Sequence, residues 1–145
     1  MILREILMAE DSSSDIELTV TALSESNLAN RLVIVRDGAE AMDYLECRGE
    51  YVNRKSGNPG LILLDIKMPR MDGIEVLESI KKNPKFKTIP VVMLTSSKED
   101  RDLAKAYDLG VNAYVVKPVS FGQFMEAIRQ IGIFWALLNE LPAQS

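Results

Sequence analysis

The stretch Leu61–Gly73 reads LILLDIKMPRMDG, and its reading decides the fold. Leu61-Ile62-Leu63-Leu64 is apolar at every position, the pattern of a central parallel strand buried on both faces. Such a strand presents Asp65 at its carboxyl end. Asp72-Gly73 then turns the chain into a helical stripe of Ile74, Leu77 and Ile80.

Working outward, the same alternation of short apolar runs and helical periods repeats. Upstream, Ile6–Ala9 reads as a first strand ending on Glu10-Asp11. Ser14 with Glu17 forms a capping-box signature ahead of Ile16, Val20 and Leu23 at helical spacing. Leu32–Val35 is the second strand, Asp37-Gly38 a turn, and Ala41–Leu45 the heart of a second helix. The polar stretch Gly49–Pro59 reads as a loop without chemistry. Downstream, Val91–Leu94 is a fourth strand ending on Thr95, and Leu103 and Tyr107 lie on a helix that closes at Gly110. Ala113–Val116 is a fifth strand ending on Lys117-Pro118. The pattern is that of an α/β protein with a parallel sheet.

Ser120 with Gln123 opens a last, extended helix carrying Phe124, Ile128, Ile131, Trp135 and Leu138 at helical spacing. Met125, Phe134, Leu137 and Leu141 widen that stripe beyond what one sheet face needs. Two readings stand side by side: the tail folds back on its own domain, or Phe134, Trp135 and Leu138 face a second copy or a partner.

A chain of 145 residues, 47% hydrophobic, fits one domain over 1–145, with a core at about 4–131 and an apolar helical extension at about 132–142. The net charge of −4 argues against a dedicated nucleic-acid binder. The apolar runs are too short to span a bilayer and the N-terminus lacks a signal-sequence pattern, which makes the cytoplasm the default compartment. Cys47 is the lone cysteine, so no intrachain disulfide forms, and it reads as a packing or surface residue. Histidine is absent, which removes the usual general base and the commonest metal ligand. Any metal must therefore be held by oxygen, pointing to Mg²⁺ or Mn²⁺.

In a doubly wound sheet, ligands bind outside the carboxyl ends of the strands. Four of the five strand ends here carry Glu10-Asp11, Asp65, Thr95-Ser96 and Lys117, and the second strand, which carries none, suits a sheet edge. Taken singly each has a plain explanation, such as an acidic pair that stabilises a helix N-terminus. Together, three carboxylates repel by roughly 4 kcal/mol per pair at about 4 Å and an effective dielectric near 20. A hard divalent ion relieves this, with Asp11 and Asp65 as direct ligands and Glu10 direct or through water. Phosphoryl transfer needs donors for the equatorial oxygens, and Lys117, Thr95 and the backbone near Lys67 and Ser96 supply them.

With these residues in view, the chain resembles the response-regulator receiver domains of bacterial two-component signalling, the CheY-like superfamily, over about Ile6 to Ile131. The likeness rests on the acidic pair, LLDIKMPRMDG, MLTSS and AYVVKP. It implies a flavodoxin-like, five-stranded parallel sheet in the order 2-1-3-4-5. It implies Asp65 as phosphoacceptor, metal on Glu10, Asp11, Asp65 and the Lys67 backbone carbonyl, and phosphoryl contacts from Thr95, Ser96 and Lys117. Tyr114 matches the family's switch aromatic, which moves with Thr95, and the Lys117-Pro118 peptide is expected to be cis. Lys67 and Ser97 occupy positions that tune the lifetime of the phosphorylated state. The Lys67 amine either pairs with Glu10 or lies over the phosphoryl oxygens and obstructs the hydrolytic water, which predicts slow self-dephosphorylation.

The longer loop, KNPKFKTIPVVMLT and the apolar tail resemble stand-alone receivers associated with phytochrome-like sensor kinases. That likeness implies a sensor histidine kinase or phosphotransfer protein as donor and a homodimer through the fourth and fifth helices. The resulting expectation is a phosphorylation switch that acts by protein contact and catalyses only its own phosphorylation and dephosphorylation. Two other classes compete with it. A Mg²⁺-dependent phosphohydrolase with an aspartyl-phosphate would need a second acid two residues after the nucleophile, where Lys67 stands. A phosphorylation-independent scaffold would have no use for the intact polar set.

Overall fold

The computed structural model describes residues 5–26, 28–55, 57–97 and 100–132. Five strands form one parallel sheet: β1 (Ile6–Ala9), β2 (Leu32–Val35), β3 (Leu61–Asp65), β4 (Val91–Thr95) and β5 (Ala113–Val116). Five helices alternate with them: α1 (Ser13–Leu23), α2 (Gly38–Glu46), α3 (Gly73–Lys82), α4 (Arg101–Asp108) and α5 (Phe121–Ile131). The strand order is β2-β1-β3-β4-β5, the expected flavodoxin-like arrangement, and it reverses between β1 and β3. That reversal opens a crevice at the carboxyl ends of these two strands.

The unbroken apolar run of β3 is explained by what covers each face. Ile62 and Leu64 join Leu7, Val91 and Met93 in a core with Val76 and Leu77 of α3 and Leu103 of α4. Leu61 and Leu63 join Ile6, Met8, Val92 and Val115 in a second core with Leu23 of α1 and Phe124 and Ile128 of α5. Leu61–Leu64 are almost completely buried, each side chain contributing about 2 kcal/mol on removal from water.

Register then sets where the polar strand ends fall. Ala9 pairs with Leu64, Leu94 with Asp65, and Thr95 with Val116. Glu10 therefore enters the row of Asp65, with Thr95 one row beyond and Lys117 two. Because side chains alternate along a strand, Glu10, Asp65 and Lys117 share the α1/α5 face, while Thr95 and Tyr114 belong to the face of α2, α3 and α4.

Of the two helix starts for which the chain predicts a cap, one is corrected and one is met. The α1 cap is Ser12, whose side chain accepts from the Asp15 N–H at 3.2 Å, not Ser14 with Glu17. Ser12-Ser13-Ser14 offers three equivalent cap residues, and only Ser12 has the extended backbone a cap needs, at φ −85° and ψ 117°. Asp37 caps α2, and Asp72 and Glu75 cap α3 reciprocally. Ser120 caps α5 through the Gln123 N–H, as expected.

The polar stretch after α2 is pinned rather than loose. Gly49–Tyr51 forms a 3-10 turn, and the Arg54 guanidinium lies 4.0 Å from the Tyr44 ring centre while its Nε donates to the Tyr44 carbonyl. At the other end of the chain, α5 closes on Gly132, whose φ of +76° is left-handed and ends the helix. The continuation expected from about 132–142, including Phe134, Trp135 and Leu138, lies outside the described residues. The Lys117-Pro118 peptide is cis, as expected.

Candidate functional site

Lys117 is the hub of the crevice. Its Nζ lies 3.2 Å from Asp65 Oδ1, 3.3 Å from Glu10 Oε1 and 3.1 Å from Asp15 Oδ2. The backbone delivers it there: the Lys117 N–H donates to the Thr95 carbonyl at 2.7 Å, extending the β4–β5 ladder by one step. Glu10 is held likewise by its own N–H on the Val35 carbonyl. Its carboxylate accepts from the Ser12 N–H.

Glu10 and Asp65 are buried, and Asp11 at the rim is exposed. One carboxylate oxygen from each lies within 4.8 Å of the other two. This fits a hard cation with oxygen ligands, and the buried pair gives the fit its electrostatic motive. Burial raises the Glu10 carboxyl to about 7, with the neighbouring Asp65 adding to the rise. Burial likewise raises Asp65, opposed chiefly by the Lys117 ammonium. Burial alone would lower Lys117, but Asp65, Asp15 and Glu10 together carry it above its ordinary value.

The sign of the resulting pH dependence follows. Between about 4.5 and about 7 the folded, metal-free protein holds a proton on Glu10 that the unfolded chain has released, so this group's contribution to stability declines as pH rises through that window. A cation competes with that same proton. The rise in Tm on adding a fixed Mg²⁺ concentration should therefore be larger at about pH 8 than at about pH 5.5, as differential scanning fluorimetry would read it. An equal rise at both would contradict a proton on Glu10.

Thr95 is buried on the other sheet face, and its hydroxyl donates to the Ser97 carbonyl at 2.9 Å. Ser96 and Ser97 are exposed. Tyr114, half-buried on the Thr95 face, meets the Tyr107 ring of α4 edge-on at 6.3 Å. Lys67 does not pair with Glu10, one of its two expected positions: its Nζ lies 3.6 Å from Asp102 Oδ2, on the first turn of α4. Asp102 is the nearer carboxylate for a lysine on the α4 side of the crevice, and Glu10 is already engaged by Lys117.

Two contributors escape a reading of the linear sequence. Asp15 reaches Lys117 from the first turn of α1, a contact that only the shared sheet face reveals. Arg70, at φ +65°, places Nε 3.0 Å and Nη2 2.9 Å from the Asp37 carboxylate that caps α2. That fork fixes the loop after Asp65 against a neighbouring helix, and it holds the Asp37 carboxyl below its usual range, chiefly by its hydrogen bonds.

The model of the response regulator receiver domain family matches residues 6–129, spanning all five strands and the whole polar set. The chain belongs to this family. The receiver is 43% identical to the response regulator Rcp1 of Synechocystis sp. over 95% of this chain and 92% of that protein. Among solved structures it is similar to the bacteriophytochrome response regulator AtBRR, with 55% identity, a TM-score of 0.88, and coverage of 96% of this chain and 99% of that one. It also resembles the phosphorylated cyanobacterial phytochrome response regulator RcpA, at 42% identity and a TM-score of 0.76 over 97% of this chain and 99% of that one. The Mn²⁺-bound form of Rcp1 aligns with a TM-score of 0.72 at 41% identity over 95% of this chain and 96% of that one. The receiver is thus a module of two-component signalling with an acidic cluster suited to a divalent metal. Among the described residues no helix is long and apolar enough to cross a membrane.

Proposed function

We propose that this receiver accepts a phosphoryl group on Asp65 from a sensor histidine kinase or a phosphotransfer protein and signals through protein contacts. The observation that carries the reading is the convergence of the Lys117 ammonium and the Glu10–Asp11–Asp65 carboxylates at the carboxyl ends of β1, β3 and β5. Glu10, Asp11, Asp65 and the Lys67 backbone carbonyl would hold Mg²⁺, or Mn²⁺ in its place. Bound there, the ion supplies positive charge that offsets the entering phosphoryl group. The similarity to phosphorylated RcpA and to Mn²⁺-bound Rcp1 supports both parts.

In the transfer, an Asp65 carboxylate oxygen forms the new P–O bond as the donor's P–N bond breaks, and the imidazole leaves with that electron pair. Lys117 pairs with a phosphoryl oxygen, already within 3.2 Å of Asp65. Thr95 and the Ser96 backbone meet the others. To do so the Thr95 hydroxyl leaves the Ser97 carbonyl and moves toward the phosphoryl group, and Tyr114 on the same face turns inward with it. A phosphoryl group must favour the switched state by about 5.5 kcal/mol to invert a 1:99 population.

The whole chain acts as one receiver in the cytoplasm, turning over no separate substrate. Similarity to the phytochrome-associated regulators favours a phytochrome-like kinase, and a homodimer through α4 and α5 with Phe134, Trp135 and Leu138 in its contact. The test is to add Mg²⁺ and acetyl phosphate and weigh the intact protein. Wild type should gain one phosphoryl group, and a chelator or Asp65→Asn should prevent it. Steady hydrolysis of added phosphoesters would instead favour a phosphohydrolase.

Lys67 sets the lifetime of the phosphorylated state from the rim of the site. Lys67→Asn should speed the decay of phospho-Asp65 several-fold after the donor is removed, as read by intact mass over time. An unchanged or slower decay would show that Lys67 does not obstruct water.

A further inference from the structure

Lys117 has more counter-charge than the acceptor site requires. Of its three carboxylate partners, Glu10 and Asp65 belong to the metal and acceptor set, but Asp15 does not. Asp15 is 102 residues from Lys117 in sequence and reaches it from α1. Its N–H is fixed on the Ser12 cap, which holds the residue at the rim and aims the carboxylate across the crevice. The contact is half-sheltered, with the Lys117 side chain 15% and the Asp15 side chain 27% exposed. Since one nitrogen holds both, the Asp15 and Asp65 oxygens lie no more than about 6 Å apart.

We propose that Asp15 is a positioning residue that holds the Lys117 ammonium toward α1 before phosphorylation and competes with the arriving phosphoryl group for it. A lysine has one charge to share. While Asp15 holds part of it, the entering phosphoryl group meets both a weaker cation and an extra nearby anion. Asp15 thereby restrains phosphoryl acceptance and does so through Lys117. The inference rests on Asp65 as acceptor.

The test compares wild type, Asp15→Asn, Asp15→Ser, Asp15→Glu and Glu17→Gln for the rate of mass gain from acetyl phosphate at saturating Mg²⁺. Glu17 is exposed on the same helix and controls for net charge. Asp15→Asn and Asp15→Ser should accept phosphate roughly three- to tenfold faster, the effect of one charge at about 6 Å under an effective dielectric of roughly 40 to 80, as suits a partly exposed carboxylate. Asp15→Glu should stay close to wild type, and Glu17→Gln should be unchanged. A second readout needs no phosphorylation: peptide-resolved acetylation with an amine-reactive reagent should label Lys117 several-fold faster in Asp15→Asn, because the ammonium loses a counter-ion. Equal labelling of Lys117 in wild type and Asp15→Asn would overturn the contact. Equal or slower phosphorylation of Asp15→Asn, or an equal gain in Glu17→Gln, would overturn the competition while leaving Asp65 as acceptor. Failure of every variant and wild type to gain mass would overturn the acceptor reading and this inference with it.

Discussion

Gly73→Ala is expected to destabilise the fold by roughly 3 kcal/mol, at the upper end of overpacking costs, and to lower Tm by about 10 °C for a domain of this size. The reason is space, not backbone angle. A Cβ on Gly73 would lie 2.1 Å from the Asp65 carbonyl oxygen and 2.9 Å from both the Asp65 carbonyl carbon and the Ile66 Cα. These are backbone atoms of the central strand's end, so no side-chain rotation relieves the clash. The Gly73 N–H also donates to the Ile66 carbonyl at 2.8 Å, which holds the first turn of α3 against the strand. Either α3 withdraws or Asp65 moves, so phosphoryl acceptance should fall along with Tm. An unchanged Tm by calorimetry would show that this close approach does not exist in solution.

Lys117→Met should cost the metal-free protein about 3 kcal/mol near pH 8, because it leaves buried Glu10 and Asp65 without their cation. The loss has a sign that can be checked. Lowering the pH lets the raised Glu10 carboxyl take up its proton at about 7, so the deficit should shrink below that value. Added Mg²⁺ should shrink it too, by supplying charge where the ammonium was. Urea denaturation with a chelator at about pH 8 and about pH 5.5, and with Mg²⁺ in place of the chelator at about pH 8, reads these differences. The same change at Lys67, 74% exposed and paired with Asp102 at 3.6 Å, should alter stability by less than about 0.5 kcal/mol. If Lys117→Met and Lys67→Met cost the same, the buried charge cluster is not what Lys117 neutralises.

The strands and their charged ends are legible in the sequence because apolar runs end abruptly on charged residues at Asp65, Glu10 and Lys117. Less legible was how those ends divide between the two faces of the sheet. Where both faces are buried, the run shows no alternation, so nothing in LILLD or VVMLT says which way Asp65 or Thr95 points. Register and parity decide it, and they separate the charge cluster on the α1/α5 face from Thr95 and Tyr114 on the α4 face. Asp15 was hidden for the same reason, since its partner is set by the face α1 covers and not by spacing along the chain. The Ser12 cap was masked by two adjacent serines of equal propensity. At Arg70 the left-handed backbone and the fork to Asp37 are long-range, and MPRMDG reads only as a turn. Gly132 carried a legible stop signal, but the apolar residues on either side of it continue the helical stripe and obscured the break.

The central claim is that Asp65 is the reactive carboxylate of an assembled set. It is tested most directly by treating the phosphorylated protein with borohydride, which reduces an acyl phosphate to an alcohol, and mapping the peptides by mass spectrometry. The prediction is homoserine at position 65, formed only when Mg²⁺ and acetyl phosphate were both present. Reduction at another carboxylate, or none at all in a protein that had gained phosphate, would contradict it.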